Sequence, residues 1–464
     1  MKNLPFILFA GLLLFTQCQN ASSQKESTQE RGPINYGSIP IDKVAETPPM
    51  GWNSWDVFGA DVSEAEVKAT ADYMAENLKE FGYEYVVIDI AWYAPEATAI
   101  HQKYKEPYPE QVIDEYGRLL PATNRFPSAK DGGFKALADY VHDKGLKLGI
   151  HVMRGIPRQA VQQNTPIKGT PYHARDIVMY EKTCTFYDGL LSIDMSKPGA
   201  QAYYNSIVEL YEEWGVDFIK ADDMTSYPPK LDEGKGLRYA IEQVDRPIVL
   251  SFSPGAVNSW DRSYLHHYAD MYRISGDFWD EWGDLKDMFN RARVFKGHTG
   301  PGGWADCDMI PLGKINIRGE HGDGARMSRF TPEEYQTLLS FWTIYRSPLM
   351  LGMDLTQMDD YTYSVITNQD AIKINQTSIN NRELKFEKDQ YTVWAANSPD
   401  SLEYYLAMFN LSDKPMQMSV DLNEVGVEEA SSLKDIWTDK EEDVVSENLT
   451  YQVAPHHVKY VIIK

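Results

Sequence analysis

The sequence is poor in cysteine. Three occur in 464 residues, Cys18, Cys184 and Cys307, too few for a disulfide scaffold in a chain of this length. Cys184 and Cys307 read as lone buried thiols. Cations are short as well: 45 Lys and Arg stand against 68 Asp and Glu, a net charge of −23. Nucleic acid is excluded as a partner, because phosphates require clustered Lys and Arg. Adhesion to an anionic membrane through a basic patch is disfavoured on the same ground. No apolar run reaches the roughly 20 residues that a membrane-spanning helix needs. Histidine is scarce, at ten residues, which leaves little material for a metal-dependent hydrolase. There is no internal repeat and no cofactor loop, so no cofactor is expected.

What is present begins with a targeting segment. Lys2 precedes an almost wholly apolar run from Leu4 to Phe15, too short to span a membrane and typical of an export signal. The run ends in Phe15-Thr16-Gln17-Cys18, which is similar to a bacterial lipoprotein cleavage box with Cys18 as the lipidated residue. A plain signal peptide with an incidental Cys18 is the alternative. Residues 1–18 are therefore expected to be a signal peptide and 19–43 a flexible, polar linker. The expected location is the cell envelope, as a periplasmic or outer-membrane lipoprotein. Gln19 to Ser23 lacks the acidic run that would decide surface export.

From residue 44 to 375, apolar strand-like runs alternate with helical stripes. Strands are expected near residues 49–55, 85–90, 146–152, 216–220, 247–253, 271–275, 300–304 and 349–353; the seventh is weak and Gly-rich. Between them, Ser63-Glu64-Ala65-Glu66 reads as a capping box, followed by Val67, Ala71, Met74 and Leu78 at helical spacing. Phe134, Leu137, Ala138 and Val141 form a second stripe. Ala202 to Trp214 is a third, and Thr331-Pro332-Glu333-Glu334 opens a fourth. Continuous apolar strands buried on both faces and alternating with helices predict an α/β fold, a (β/α)8 TIM barrel. A doubly wound open sheet is the runner-up. Residues 376–464 change character: Met416, Met418, Val420 and Leu422 alternate with polar residues, predicting a C-terminal antiparallel β-sandwich domain. His456 and His457 read as surface residues of that domain.

In a (β/α)8 barrel the working residues lie at the C-terminal ends of the strands. That rule selects Asp89, His151, Lys220, Asp222, Ser253, Asp277, Asp306, Asp308 and Asp354. An acid-rich rim with one lysine suits glycoside hydrolysis by paired carboxylates. It also suits chemistry at an oxygen-liganded divalent metal.

Several ordered motifs resemble glycoside hydrolase family 27, the α-galactosidase or melibiase-like family. They are Met50-Gly51-Trp52-Asn53-Ser54-Trp55, Asp217-Phe218-Ile219-Lys220-Ala221-Asp222, Arg273-Ile274-Ser275-Gly276-Asp277, Trp304-Ala305-Asp306-Cys307-Asp308-Met309 and Tyr345-Arg346-Ser347-Pro348-Leu349. The resemblance implies a retaining exo-glycosidase with Asp222 as nucleophile and Asp277 as general acid/base, about 5–5.5 Å apart. It implies that Lys220 binds sugar hydroxyls, that Arg273 contacts sugar and acid/base, and that Trp52 is an aromatic platform, with Trp55 in the core. Asp89, Ile90, His151, Ser253, Asp308 and Met309 complete the implied sugar site. His151 reads equally as a sugar ligand or as a packed core histidine. Asp223 stands where the family more often has Asn and reads as a support for Asp222. No metal is implied.

Two departures bear on substrate. Where the family commonly has two adjacent aspartates for the 4- and 6-hydroxyls of galactose, this chain has Asp89-Ile90. Ile cannot accept a hydrogen bond, so a sugar lacking C6 would be rejected less; β-L-arabinopyranose is galactose without that carbon. Either the site is tuned to the pentose, or His151 or Arg154 supplies the missing contact. Small residues in Ser251-Phe252-Ser253-Pro254-Gly255-Ala256 would admit a 2-acetamido group. The expected partner is thus a galactose- or arabinopyranose-terminated glycan. α-D-Galactosidase is the main reading, β-L-arabinopyranosidase the alternative, and α-N-acetylgalactosaminidase or a non-catalytic sugar-binding protein the lesser ones.

Overall fold

A computed structural model describes residues 41–97, 110–184, 186–225, 230–253, 262–319, 321, 324–427, 430–444 and 446–464. The signal and Cys18 lie outside the described residues. Residues 39–464 form one compact unit. Its centre is an eight-stranded parallel sheet: β1 Met50–Asn53, β2 Tyr85–Ile88, β3 Lys147–Met153, β4 Phe218–Asp222, β5 Val249–Phe252, β6 Met271–Arg273, β7 Trp304–Asp306 and β8 Leu349–Leu351. The spatial order is 7-6-5-4-3-2-1-8. The two free edges meet through one parallel bridge between Ile310 and Leu351, with Ile310 N donating to Met350 O at 2.7 Å. The barrel expected from the sequence is the fold found.

Helices follow the strands where the local chemistry directs them. α1, Glu64–Asn77, starts at the Ser63–Glu66 capping box, and α2 is Lys135–Asp143. α3, Ala200–Trp214, ends at Gly215, whose φ of +82° is one that L side chains rarely adopt. α4 is Leu231–Ile241, α5 Arg262–Tyr268 and α6 Trp282–Val294. α7, Pro332–Tyr345, begins at a Thr331–Glu334 capping box with Pro at its first position. α8 is Gln369–Thr377. Trp92, Phe134 and Trp214 pack edge to face, with centroids 5.3–6.1 Å apart, and tie α2 and α3 together.

Two strand expectations need correction. The seventh strand runs from Trp304 to Asp306, not through Gly300–Gly303, which instead closes a tight turn by an antiparallel bridge. The fourth runs two residues further than expected, so Asp222 is its last residue rather than a loop residue. A three-stranded antiparallel excursion between β3 and α3, with strands Ile156–Pro157, Val178–Thr183 and Leu190–Ile193, was not legible in the sequence.

The floor of the barrel is plugged by the segment just before β1. Ala45 joins Tyr85, Val249, Met271 and Trp304 in the interior cluster, and Trp304 Nε1 donates to Ala45 O at 2.9 Å. Lys43 Nζ donates to Ala269 O at 2.5 Å and His266 O at 3.2 Å. Arg238 grips Asp270 at 2.9 Å and also donates to Asp42 O.

Beyond α8 the chain is antiparallel β. Six strands, β9 Ile379–Glu387, β10 Tyr391–Asn397, β11 Tyr404–Asn410, β13 Ser432–Asp435, β14 Glu441–Asp443 and β16 Val458–Ile463, pair in the order 9-10-11-16-13-14. β12 Met416–Asp421 and β15 Asn448–Val453 form a second, two-stranded layer. Met418 and Val420 share one core with Val393, Leu406, Leu449 and Val461. The outer face of β10 and β11 meets α6 and α7: Phe341 lies 5.8 Å from Trp394 and 6.0 Å from Phe409.

His456 and His457 are not free surface residues. His456 Nδ1 meets Glu334 at 2.8 Å, Nε2 meets Asp413 at 2.9 Å, and the ring stacks on Trp282 at 4.0 Å. His457 Nε2 meets Gln336 Oε1 at 2.9 Å. Replacing His456 with Ala strips the buried Glu334 Oε1 of its partner. The expected cost is about 1–3 kcal/mol, read as a lower midpoint in urea unfolding with unaltered KM.

Candidate functional site

Side-chain alternation decides what reaches the barrel mouth. Gly51, Val87, Gly149 and Phe218 lie on the inward face; a Cβ on Gly51 would sit 2.3 Å from Tyr85 O, and one on Gly149 would meet Val87 and Phe218. Two residues further along each strand, the same face presents Asn53, Asp89, His151 and Lys220. Parallel pairing sets His151 beside Lys220 and Met153 beside Asp222.

These side chains form one connected row. Lys220 Nζ reaches Asp89 Oδ2 at 2.7 Å. Asn53 Nδ2 donates to the same oxygen at 2.9 Å. The Ile90 amide donates to Asp89 Oδ1 at 2.7 Å. His151 Nε2 lies 2.8 Å from Asp222 Oδ2. Burial opposes ionisation of Asp222, but His151 and Lys220 outweigh it and hold the carboxyl well below the ordinary carboxylate range. Asp89 is likewise lowered, against burial, chiefly by Lys220. Burial disfavours the Lys220 cation, yet Asp89 and Asp222 raise it above the usual lysine range. Asp89, Lys220 and Asp222 are therefore ionised through neutral and mildly acidic pH.

A second array stands on β6 and β7. Arg273 Nη2 lies 2.6 Å from Asp308 Oδ2 and 3.4 Å from Asp277 Oδ1. Asp308 Oδ2 also accepts the Phe278 amide at 2.7 Å. Asp308 sits at φ +83° and so braces the loop that carries Asp277. Asp306 Oδ1 accepts the Asp308 amide at 2.8 Å. The Asp277 side chain is 43% exposed, against 11% for Asp222. One carboxylate is thus sealed and charge-compensated, and the other is open to solvent. Asn53, Phe218, Lys220, Ser251, Met271, Arg273, Asp306, Asp308, Met309 and Met350 line a pocket between the two arrays.

Other expected residues separate. Trp52 is fully buried, points away from the mouth and donates from Nε1 to Met353 O at 2.8 Å; it offers no face to a sugar. This corrects the platform assignment. Trp55 is part-exposed and packs against the cluster that contains Met309 and Met350, so it, not Trp52, is available as a platform. Ser253 is buried, and its backbone is laced to the β4 segment through Ala221 O and Met224 N. Ile90 is 5% exposed. Arg154 is engaged elsewhere: it binds Asp223 at 2.5–2.6 Å and Glu233 at 2.9 Å. It is 3% exposed and committed to those two carboxylates, so it does not stand in for a missing aspartate at residue 90. The same contacts hold Asp223, at φ +61°, directly behind Asp222. Asp354 caps a short 3-10 turn through Thr356 and Gln357. Cys184 and Cys307 are buried free thiols. Among the described residues no three His, Cys, Asp or Glu side chains converge as a metal site requires.

Asn53 was missed by sequence reasoning. Its signal was the parity of β1, in which Gly51 and not Trp52 faces the interior. Asp56 was missed too; it is 1% exposed, and burial pushes its carboxyl well above the ordinary range, with Asp308 adding to the effect.

A parallel barrel whose open end carries two aspartates in contrasting environments, with Lys and Arg between them, is the layout of a two-carboxylate glycoside hydrolase. The family model described as alpha galactosidase A, Melibiase_2, matches residues 47–160 and 182–377. The chain belongs to that family, glycoside hydrolase family 27. The unmatched residues 161–181 fall in the antiparallel excursion after β3. The chain is similar to crystal structures of a GH27 β-L-arabinopyranosidase from Geobacillus stearothermophilus, at 45% identity and a TM-score of 0.87, over 90% of this chain and 97% of that one. One of those structures is a complex with arabinose. It is also similar to an α-galactosidase from Cyamopsis tetragonoloba, 27% identical over 90% of this chain and 87% of that protein, and to one from Cellvibrio japonicus, 28% identical over 90% and 92%.

Proposed function

We propose that the protein is a retaining exo-glycosidase of the α-galactosidase type that removes terminal α-D-galactopyranosyl residues and, with higher kcat/KM, terminal β-L-arabinopyranosyl residues. The observation that carries the reading is the contrast between Asp222, buried and ionised among His151 and Lys220, and Asp277, exposed beside Arg273. In the first step Asp222 attacks the anomeric carbon while the bond to the leaving oxygen breaks and Asp277 protonates that oxygen. In the second, Asp277 takes a proton from water, the water oxygen attacks the same carbon, and the bond to Asp222 breaks. Asp89 and Lys220 hold sugar hydroxyls, Arg273 and Asp308 hold the acid/base loop, and Trp55 and Met309 border the ring. Export and attachment at the cell envelope through Cys18 belong to the same reading, supported by Lys2 and the apolar run that precedes Cys18.

The preference for the pentose rests on Ile90 and on the similarity to the arabinopyranosidase. No carboxylate stands at residue 90 for a 6-hydroxyl, and Arg154 is bound to Asp223 and Glu233. Side-by-side kinetics on p-nitrophenyl β-L-arabinopyranoside and α-D-galactopyranoside should favour the arabinoside. A higher kcat/KM on the galactoside would overturn the preference while leaving the galactosidase reading intact. Ile90→Asp is expected to shift the ratio about 3- to 10-fold toward the galactoside, the worth of one net hydrogen bond.

A further inference from the structure

His151 has no exposed surface and so nothing to offer a sugar hydroxyl. Its main chain is pinned, because its carbonyl accepts Trp92 Nε1 at 2.7 Å. Its ring makes one polar contact: Nε2 to Asp222 Oδ2 at 2.8 Å. Among the described residues the ring's other nitrogen, Nδ1, has no hydrogen-bond partner, and Asp222 Oδ1 is buried, with the Ser253 side chain beside the carboxylate.

These facts fix the proton. Asp222 is an acceptor, so the proton of the 2.8 Å contact sits on Nε2.

We propose that His151 is a positioning residue, neither a sugar ligand nor a core filler: its Nε2–H on Asp222 Oδ2 fixes the orientation from which that carboxylate attacks the anomeric carbon. The inference rests on Asp222 being the nucleophile. It assigns a role to the one titratable side chain that touches Asp222 and that the mechanism above does not otherwise use. The carboxylate lies at the end of β4, so a donor fixed on the neighbouring strand sets its orientation. A reacting oxygen displaced by about 1 Å costs on the order of 100-fold in rate.

The test uses two replacements with different chemistry. Gln places an amide N–H near the position of Nε2. Phe keeps the ring's bulk and has no donor. Each variant is checked for an unchanged circular-dichroism spectrum and then assayed on an aryl β-L-arabinopyranoside for kcat and KM. The rate of covalent labelling by an activated 2-deoxy-2-fluoro glycoside is measured as well, since it reports attack by the nucleophile. His151→Phe should lose about 30-fold or more in kcat and in labelling rate, with KM within about 3-fold. His151→Gln should recover most of both. A rise in KM at constant kcat would make His151 a sugar ligand and overturn the proposal. Equal loss in Phe and Gln, or no loss in either, would overturn it as well. Failure of the wild type to label at Asp222 would overturn the assignment of the nucleophile itself, and this inference with it.

Discussion

Asp222→Asn is expected to lower kcat by on the order of 10⁴-fold on both the arabinoside and the galactoside, with a folded protein and a KM close to wild type. The carboxamide is isosteric, and its oxygen still accepts the His151 Nε2–H, so the row of Asn53, Asp89 and Lys220 remains in place. What disappears is an anionic oxygen able to form a glycosyl ester. Steady-state kinetics with mass analysis of the labelled protein checks this; an active Asn variant would require a different nucleophile. The same substitution carries a stability signature. The Asp222 carboxyl is held below its ordinary range, so it contributes stability that is present above the ordinary carboxylate value and is lost as pH falls below about 4. The Asn variant lacks that contribution, and its urea midpoint should fall less steeply over the same acid interval.

Asp277→Asn should be almost as damaging, and selectively so. General acid catalysis is worth about 10²–10⁴-fold, but only where the leaving oxygen needs a proton to depart. Natural and alkyl glycosides should lose that full factor, whereas a dinitrophenyl glycoside, whose oxygen leaves as a stable anion, should undergo the first step with little loss. The intermediate then accumulates, because activation of water is missing. Added azide needs no base and should release it as the glycosyl azide. Equal loss for every leaving group, with no effect of azide, would remove Asp277 from the acid/base role.

The parts of this molecule that could be read from sequence are those in which one local rule dominates. Tyr85–Ile88 is a continuous apolar strand because both its faces are covered. α1 and α7 begin where Ser63–Glu66 and Thr331–Glu334 satisfy their own helix ends. β7 escaped because three residues suffice for it, and its neighbouring glycines form a turn that imitates a weak strand. The pocket was legible in its acids and not in its contacts. His151 and Asp222 are 71 positions apart, and only the register of β3 against β4 brings Nε2 to Oδ2. Trp52 is turned from the pocket by the parity of β1, in which Gly51 faces the interior, whereas Trp55 lies past the strand at the start of a short helix, and no composition reveals either. Arg154 looked available until Asp223 and Glu233 were seen to occupy it. The His456–Glu334 contact joins residues 122 positions apart, so nothing near His456 announces Glu334.

The plug beneath the barrel has a practical consequence. Lys43, Ala45 and Arg238 fasten the segment before β1 to the starts of β6 and β7, at the end of the cylinder opposite the mouth where Asp222 and Asp277 lie. Asp42, whose carbonyl accepts from Arg238, therefore lies at the closed end. A solid support, an affinity handle or a fusion partner attached there leaves the entrance unobstructed, so an immobilised form should take up polymeric glycans without the shadowing that attachment near the rim would impose.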